Sequence, residues 1–192
     1  MSLLSDLRVL LGKDEVRAIS RRYFISNGFD GTLTSIGVIV GSVLSGVPDG
    51  LTVVKIGLGA AIGLGTSALW SVWEIERAET KAEVLQMEKA MLTDLDDTRI
   101  EQQHRGERIL HALMSGLGPT IGIVIPLLPF LLEGTLLSMT EAAAIAVALG
   151  VGILSTFGAY MGSISGQRWY VSAARMGAAG LVVAALNLVL PG

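Results

Sequence analysis

No cysteine occurs in the 192 residues, so disulfides, thiolate metal ligands and thiol nucleophiles are all excluded. Charge is scarce as well. Asp, Glu, Lys and Arg make up 16% of the chain, where a soluble domain of this size carries roughly a quarter. With 51% hydrophobic residues, such a chain cannot cover a surface that faces water, and lipid must solvate much of its outside. Also missing are a zinc-protease motif, a serine–histidine arrangement and a phosphate-binding loop, so the sequence offers no recognisable enzyme chemistry. The N-terminus does not read as a cleaved signal peptide. Its first apolar stretch is interrupted by Asp6 and Arg8, and no small-residue cleavage site follows.

What is abundant is glycine, at 24 residues, which suits membrane helices that pack closely through small side chains. About 20 apolar residues are needed to cross the hydrocarbon core, and five segments qualify: Tyr23 to Gly46, Leu51 to Trp73, Leu110 to Leu132, Ala142 to Ile164 and Val171 to Leu190. The breaks fall at Gly46-Val47-Pro48-Asp49-Gly50, at Glu133-Gly134 and at Gly166-Gln167-Arg168. The expected fold is all-α, a polytopic membrane protein with five transmembrane helices. Its parts are an amphipathic N-terminal helix over 1–20, spans one and two over 21–73, an acidic helical insert over 74–109 that extends the second span, and spans three to five over 110–192. The N-terminal helix either lies on the membrane surface or is an ordinary helical terminus.

Basic residues stay preferentially on the cytoplasmic side. Thirteen of the 14 Lys and Arg residues precede the first span, lie between spans two and three, or lie between spans four and five. The other side carries Asp49, Glu133 and Glu141. The N-terminus is therefore expected in the cytoplasm and the C-terminus outside, in a plasma or organelle membrane that the sequence does not resolve. Lys55 is the exception, one turn into the second span, where it can snorkel, pair with Asp49 or serve the polar path.

Glu74 to His111 is the one long hydrophilic stretch. It holds ten of the 17 acids and both histidines, His104 and His111. No proline interrupts it, so the second span should continue as a helix to about Met91. Thr93, with Asp96 in the capping-box position, then starts a second arm. Residues three or four apart share a helix face, which aligns Glu76, Glu79 and Glu83 and pairs Glu101 with His104 and Glu107 with His111. Carboxylates with an imidazole suit Fe²⁺, Mn²⁺ or similar ions. Glu101-x-x-His104 is also the ligand unit of carboxylate-bridged di-metal bundles, although those use it twice. The plainer reading is a solvated helical face held by charge pairs.

A charge inside a span is the sharper signal. Asp30 lies eight residues beyond Arg22, about 12 Å along a helix, where a carboxylate is costly unless it faces a cavity or a cation. Asp30, Thr34, Gly37, Gly41 and Ser45 form one stripe, with Asn27 just before it. Such a stripe can line a hydrophilic path, admit a second helix, or do both against a symmetry-related copy. Gly59, Gly63, Ser67 and Ser71, and again Gly158, Gly162 and Gly166, read as packing seams. Pro126 and Pro129 should bend the third span.

Ser26-Asn27-Gly28-Phe29-Asp30-Gly31, Ile125-Pro126-Leu127-Leu128-Pro129-Phe130 and Arg175-Met176-Gly177-Ala178-Ala179-Gly180 together resemble the vacuolar iron transporter family, as does the plan of five spans with an insert after the second. The family's second span usually carries a Ser-Met pair with a Glu a turn later; here Ser67 is followed by Ala68 and the first acid is Glu74, and the insert is shorter. The resemblance implies a homodimer whose first spans meet at a central path. It implies export of divalent iron or manganese from the cytoplasm in exchange for protons, with no prosthetic group and no nucleic-acid partner. Asp30 would be a metal ligand in the path, with Asn27 and Thr34 lining it. Glu74 or Glu76 would guard the cytoplasmic mouth, and Glu79, Glu83, Glu101 and His104 would collect metal. The alternative is a non-transporting assembly or regulatory protein whose acidic insert binds a partner.

Overall fold

The computed structural model describes residues 13–91 and 99–189, with side chains over 13–90 and 105–189. Among the described residues there are five α-helices: α1 (Asp14–Leu44), α2 (Gly50–Met91), α3 (Arg99–Leu127), α4 (Met139–Ile164) and α5 (Trp169–Val189). A 3-10 turn over Leu128–Leu132 closes α3. Four segments are long and apolar enough to cross a membrane: Gly50–Ala90, Arg105–Leu132, Met139–Ile164 and Trp169–Val189. The fifth helix, α1, is 31 residues long but carries Asn27, Asp30, Thr32, Thr34, Ser35 and Ser42 through its middle, which lowers its apolar character below theirs.

The three described turns between helices each contain a residue with a left-handed backbone. Gly46, Gly134 and Gly166 have φ of 69°, 80° and 67°, a region that costs a side-chain-bearing residue steric strain. Gly166 thus belongs to the turn after α4 and not to the packing seam expected of it. Asp49 starts α2 by accepting from Thr52 N at 2.8 Å and from Thr52 Oγ1 at 3.0 Å. Those two bonds, with a smaller contribution from Lys55, hold the Asp49 carboxyl below its usual range. Ser138 and Glu141 cap α4 reciprocally.

The expected boundary at residue 20 is not a break, since α1 runs unbroken from Asp14; residues 1–12 of the expected amphipathic helix lie outside the described residues. The boundary near 109 is not a break either, because α3 enters the bundle as one helix from Arg99. The second apolar stretch continues as one helix to the expected point. α2 continues to Met91, and its 42 residues make a rod of roughly 60 Å at 1.5 Å per residue, about twice the hydrocarbon thickness. Thr93 and Asp96 lie outside the described residues.

Successive helices alternate in direction. The start of α1, the far half of α2, the start of α3 and the α4–α5 turn gather at one end. Lys13 reaches Glu107 there at 2.9 Å, Arg21 lies over the Tyr160 ring, Phe24 meets Phe157 edge-on, and Arg108 sits 4.7 Å above Trp73. At the opposite end Gly50 N donates to Glu133 Oε2 at 3.2 Å, over a core of Ile39, Val53, Ile123, Leu127 and Phe130.

A close seam joins α1 to α3. A Cβ added at Gly31 would collide with Pro119, and one at Gly118 with the Phe24 carbonyl. Small residues at these positions let two backbones approach without a hydrophobic driving force between them, which lipid does not supply. Gly158 and Gly162 do the same for α4 against Ser172 and Trp169 of α5. The expected seam along α2 is corrected. Gly59 and Gly63 meet nothing within 4 Å, and the face that packs inward runs through Gly57, Ala61, Gly65, Ala68 and Val72.

Candidate metal-handling site at the mouth of the bundle

Where α2 leaves the bundle, one side chain from each of three helices converges. Tyr23 of α1 donates through Oη to Glu76 Oε1 of α2 at 3.0 Å. His111 of α3 brings Nδ1 to 3.1 Å from the same oxygen, and its ring lies 5.9 Å from that of Tyr23. The imidazole is 3% exposed, yet neither ring nitrogen has an aligned hydrogen-bond partner. Helix periodicity explains the convergence. Tyr23 and Asn27 are one turn apart on α1, and His111 and Ser115 one turn apart on α3, so the two polar pairs face each other across the seam.

The second layer is closed. Asn27 Nδ2 donates to Ser115 Oγ at 2.9 Å and to Tyr23 O at 3.0 Å. Ser115 Oγ donates to Ala68 O of α2 at 2.9 Å, so a short polar chain ties α1, α3 and α2 together inside the bundle. Ser115 is fully buried, and its two bonds satisfy the hydroxyl that burial would otherwise penalise.

Outside the Tyr23–Glu76–His111 cluster opens a cavity of about 650 Å³, lined, among the described residues, by six carboxylates and two permanent cations, Lys13 and Arg22. Glu76, Glu79, Glu83 and Glu107 are among those acids. Three of the expected ligands, Glu76, Glu79 and Glu83, are therefore brought to one chamber. Glu74 is not among its lining residues and lies 3.8 Å from Arg77 on the exposed side of α2. Glu107 accepts from Lys13, while His111 turns to Glu76, so the carboxylate–imidazole contact given by the structure crosses between helices. The Glu101 and His104 side chains lie outside the described residues. Among the described residues, no three His, Asp or Glu side chains come close enough together to hold a metal ion.

Asp30 stands apart from this chamber. It lies seven residues beyond Tyr23 on the same face of α1, about 10 Å further along, and it is exposed on the outside of the single chain. Thr34, one turn on, returns its hydroxyl to Asp30 O at 2.8 Å. Beyond it, Gly41 meets nothing within 4 Å, and Gly37 only the amide of Asn187. The stripe expected from the sequence is present and open to the outside. Reading the residues alone missed Tyr23, His111 and Ser115 as members of a cluster with Glu76. The signal was available in two i,i+4 polar pairs, Tyr23/Asn27 and His111/Ser115, each at the edge of an apolar run.

Comparison with known proteins bears on the same part of the chain. A family model described as the VIT family matches residues 71–190, which takes in the far half of α2 and the helices that follow it. An uncharacterized protein of Methanocaldococcus jannaschii is 30% identical over 172 residues, which cover 88% of this chain and 87% of that protein.

Proposed function

This chain belongs to the vacuolar iron transporter (VIT) family, and on that premise we propose that it carries Fe²⁺ or Mn²⁺ out of the cytoplasm in exchange for protons, as a homodimer. Membership makes it a multi-pass membrane metal-ion transporter. The ion, its direction and its coupling are our reading, as are the count of five spans with α1 as the first and a cytoplasmic N-terminus.

The observation that carries this reading is the exposure of Asp30. On a single chain this carboxylate faces outward from the middle of α1, where contact with hydrocarbon costs about 3 kcal/mol or more. A second copy laid against the open stripe of Thr34, Gly37 and Gly41 removes that contact and sets two Asp30 side chains opposite each other. Paired carboxylates bind a divalent cation well and compete for protons. Asn27 and Thr34 then line the approach.

The chamber supplies the cation. Glu76, Glu79 and Glu83 on α2 line it and raise the local concentration of divalent ions at the mouth. The ion moves along the polar face of α1 to the Asp30 pair, and protons arriving from the far side weaken the site and release it. The metal is cargo, and the scheme needs no prosthetic group.

Uptake of Fe²⁺ and Mn²⁺ into proteoliposomes, with and without an imposed pH gradient, tests the reading. Gradient-driven flux that disappears in Asp30→Ala, with assembly intact, is expected. Undiminished flux in that variant overturns the path, and absence of flux for both ions from correctly inserted protein overturns the substrate.

A further inference from the structure

His111 belongs to neither the path nor the set of acids that the transport reading requires, and its surroundings are unusual for a structural histidine. It is 3% exposed and lines the acidic chamber, yet neither of its nitrogens has an aligned hydrogen-bond partner. A buried imidazole whose nitrogens make no aligned hydrogen bond forfeits those that water would give it, so a ligand is the economical explanation. Its nearest charged neighbour, Glu76 Oε1, stands 3.1 Å from Nδ1, outside hydrogen-bond alignment.

That combination matches two ligands that share one cation. At bond lengths of about 2.1 Å, adjacent ligands of an octahedral ion lie about 3 Å apart, each well off the other's lone-pair axis. A pair held together by a direct hydrogen bond would instead be aligned. We propose that His111 Nδ1 and Glu76 Oε1 form a two-ligand station for the divalent cation at the cytoplasmic mouth, with water from the chamber completing the coordination. This rests on the transport reading for its purpose but not for its detection.

The station is incomplete by design of its surroundings. No third carboxylate or imidazole among the described residues comes close enough to close it. A transport protein needs binding favourable enough to admit the ion and weak enough to release it, and two protein ligands with exchangeable water meet both needs. The imidazole also selects. Nitrogen and carboxylate donors together favour Mn²⁺ and Fe²⁺ over Mg²⁺ and Ca²⁺, which prefer oxygen alone. Tyr23 Oη, bonded to the same carboxylate oxygen, orients Glu76 as an outer partner orients a metal ligand.

The chain contains only two histidines, His104 and His111, which makes the test direct. Mn²⁺ is added to the purified full-length protein, and nitrogen modulation in its electron spin-echo decay reports a bound imidazole. Modulation is expected in the native protein and in His104→Asn, and its loss in His111→Gln. Glu76→Gln should keep the modulation but weaken Mn²⁺ binding by about tenfold or more. The variants are first compared with the native protein by size-exclusion and thermal melting, and His111→Asn replaces any His111→Gln protein that fails to fold. Modulation that survives loss of His111, that vanishes with His104, or that is absent from native protein at millimolar Mn²⁺ overturns the station. Asp30→Ala separates the two ideas: it should abolish flux while leaving the imidazole signal intact.

Discussion

Tyr23 and Glu76, 53 residues apart in the chain, meet through a 3.0 Å hydrogen bond at the point where α2 emerges from the bundle. The bond fixes the direction of a carboxylate that would otherwise swing freely in an acidic chamber. Tyr23→Phe removes the donor and keeps the ring against His111. In the proposed mechanism it should lower stability by about 1 kcal/mol and raise the half-saturation concentration for Mn²⁺ uptake without abolishing flux. Thermal melting and proteoliposome uptake measure the two effects. Unchanged uptake would mean that the orientation of Glu76 is irrelevant to cation capture.

The polar chain from Asn27 through Ser115 to Ala68 O makes a separate prediction about the fold. Ser115→Ala removes the hydroxyl that both accepts from Asn27 and donates to α2. Interhelical hydrogen bonds in membranes contribute modestly, so a loss of about 1 kcal/mol is expected, read as a lower unfolding midpoint in graded denaturant. A larger loss would indicate that the chain also sets the position of Tyr23 and Glu76, and transport should then fall in parallel.

Two glycines of α1, Gly31 and Gly41, should respond in opposite ways. At Gly31 an added Cβ would run into Pro119, and nothing there is a flexible side-chain end that could yield. Gly31→Ala should therefore separate α1 from α3 and destabilise the protein by about 1–3 kcal/mol. At Gly41 an added Cβ meets nothing within 4 Å of the single chain. Gly41→Leu should leave monomer stability near native while weakening the proposed dimer, seen as a shift to the monomer in detergent-corrected mass measurement. A Gly41→Leu protein that remains fully dimeric would place the subunit contact elsewhere.

The contrast between those glycines also shows how far the sequence could be read. The turns were legible because Gly46, Gly134 and Gly166 sit where the hydrophobic runs end, and all three adopt the backbone only glycine tolerates well. The extension of α2 to Met91 was legible because no proline or glycine interrupts residues 66–91. The choice of inward face on α2 was not. Gly57, Ala61, Gly65 and Ala68 form one small-residue stripe and Gly59, Gly63, Ser67 and Ser71 another, and periodicity gives them equal standing. Only the partner decides between them, and here Leu127 fills the space over Gly57 while Gly116 and Thr120 close over Gly65. The Tyr23–Glu76–His111 cluster was hidden for the same reason. Helix spacing pairs residues within a helix, so Glu107 and His111 stood out, whereas the contact that forms is between helices.

Orientation in the membrane can be tested because the chain has no cysteine, so each introduced thiol is the only one. Thr135 lies in the exposed turn after the 3-10 segment, whereas Glu83 and Gln167 are exposed at the end that carries the basic residues. If the basic end faces the cytoplasm, Thr135→Cys in the plasma membrane of intact cells should react with a membrane-impermeant maleimide. Glu83→Cys and Gln167→Cys should react only after permeabilisation. Glu83 samples the long arm of α2 and Gln167 the α4–α5 turn, so their agreement tests whether the helices alternate across the bilayer as five spans. If Thr135 and Gln167 label from the same side, α4 does not cross, and a stripe centred on Asp30 loses its place in the membrane. If all three labels are reversed together, the five spans stand but the acidic chamber faces outward, and the same cluster would receive the ion from the other side.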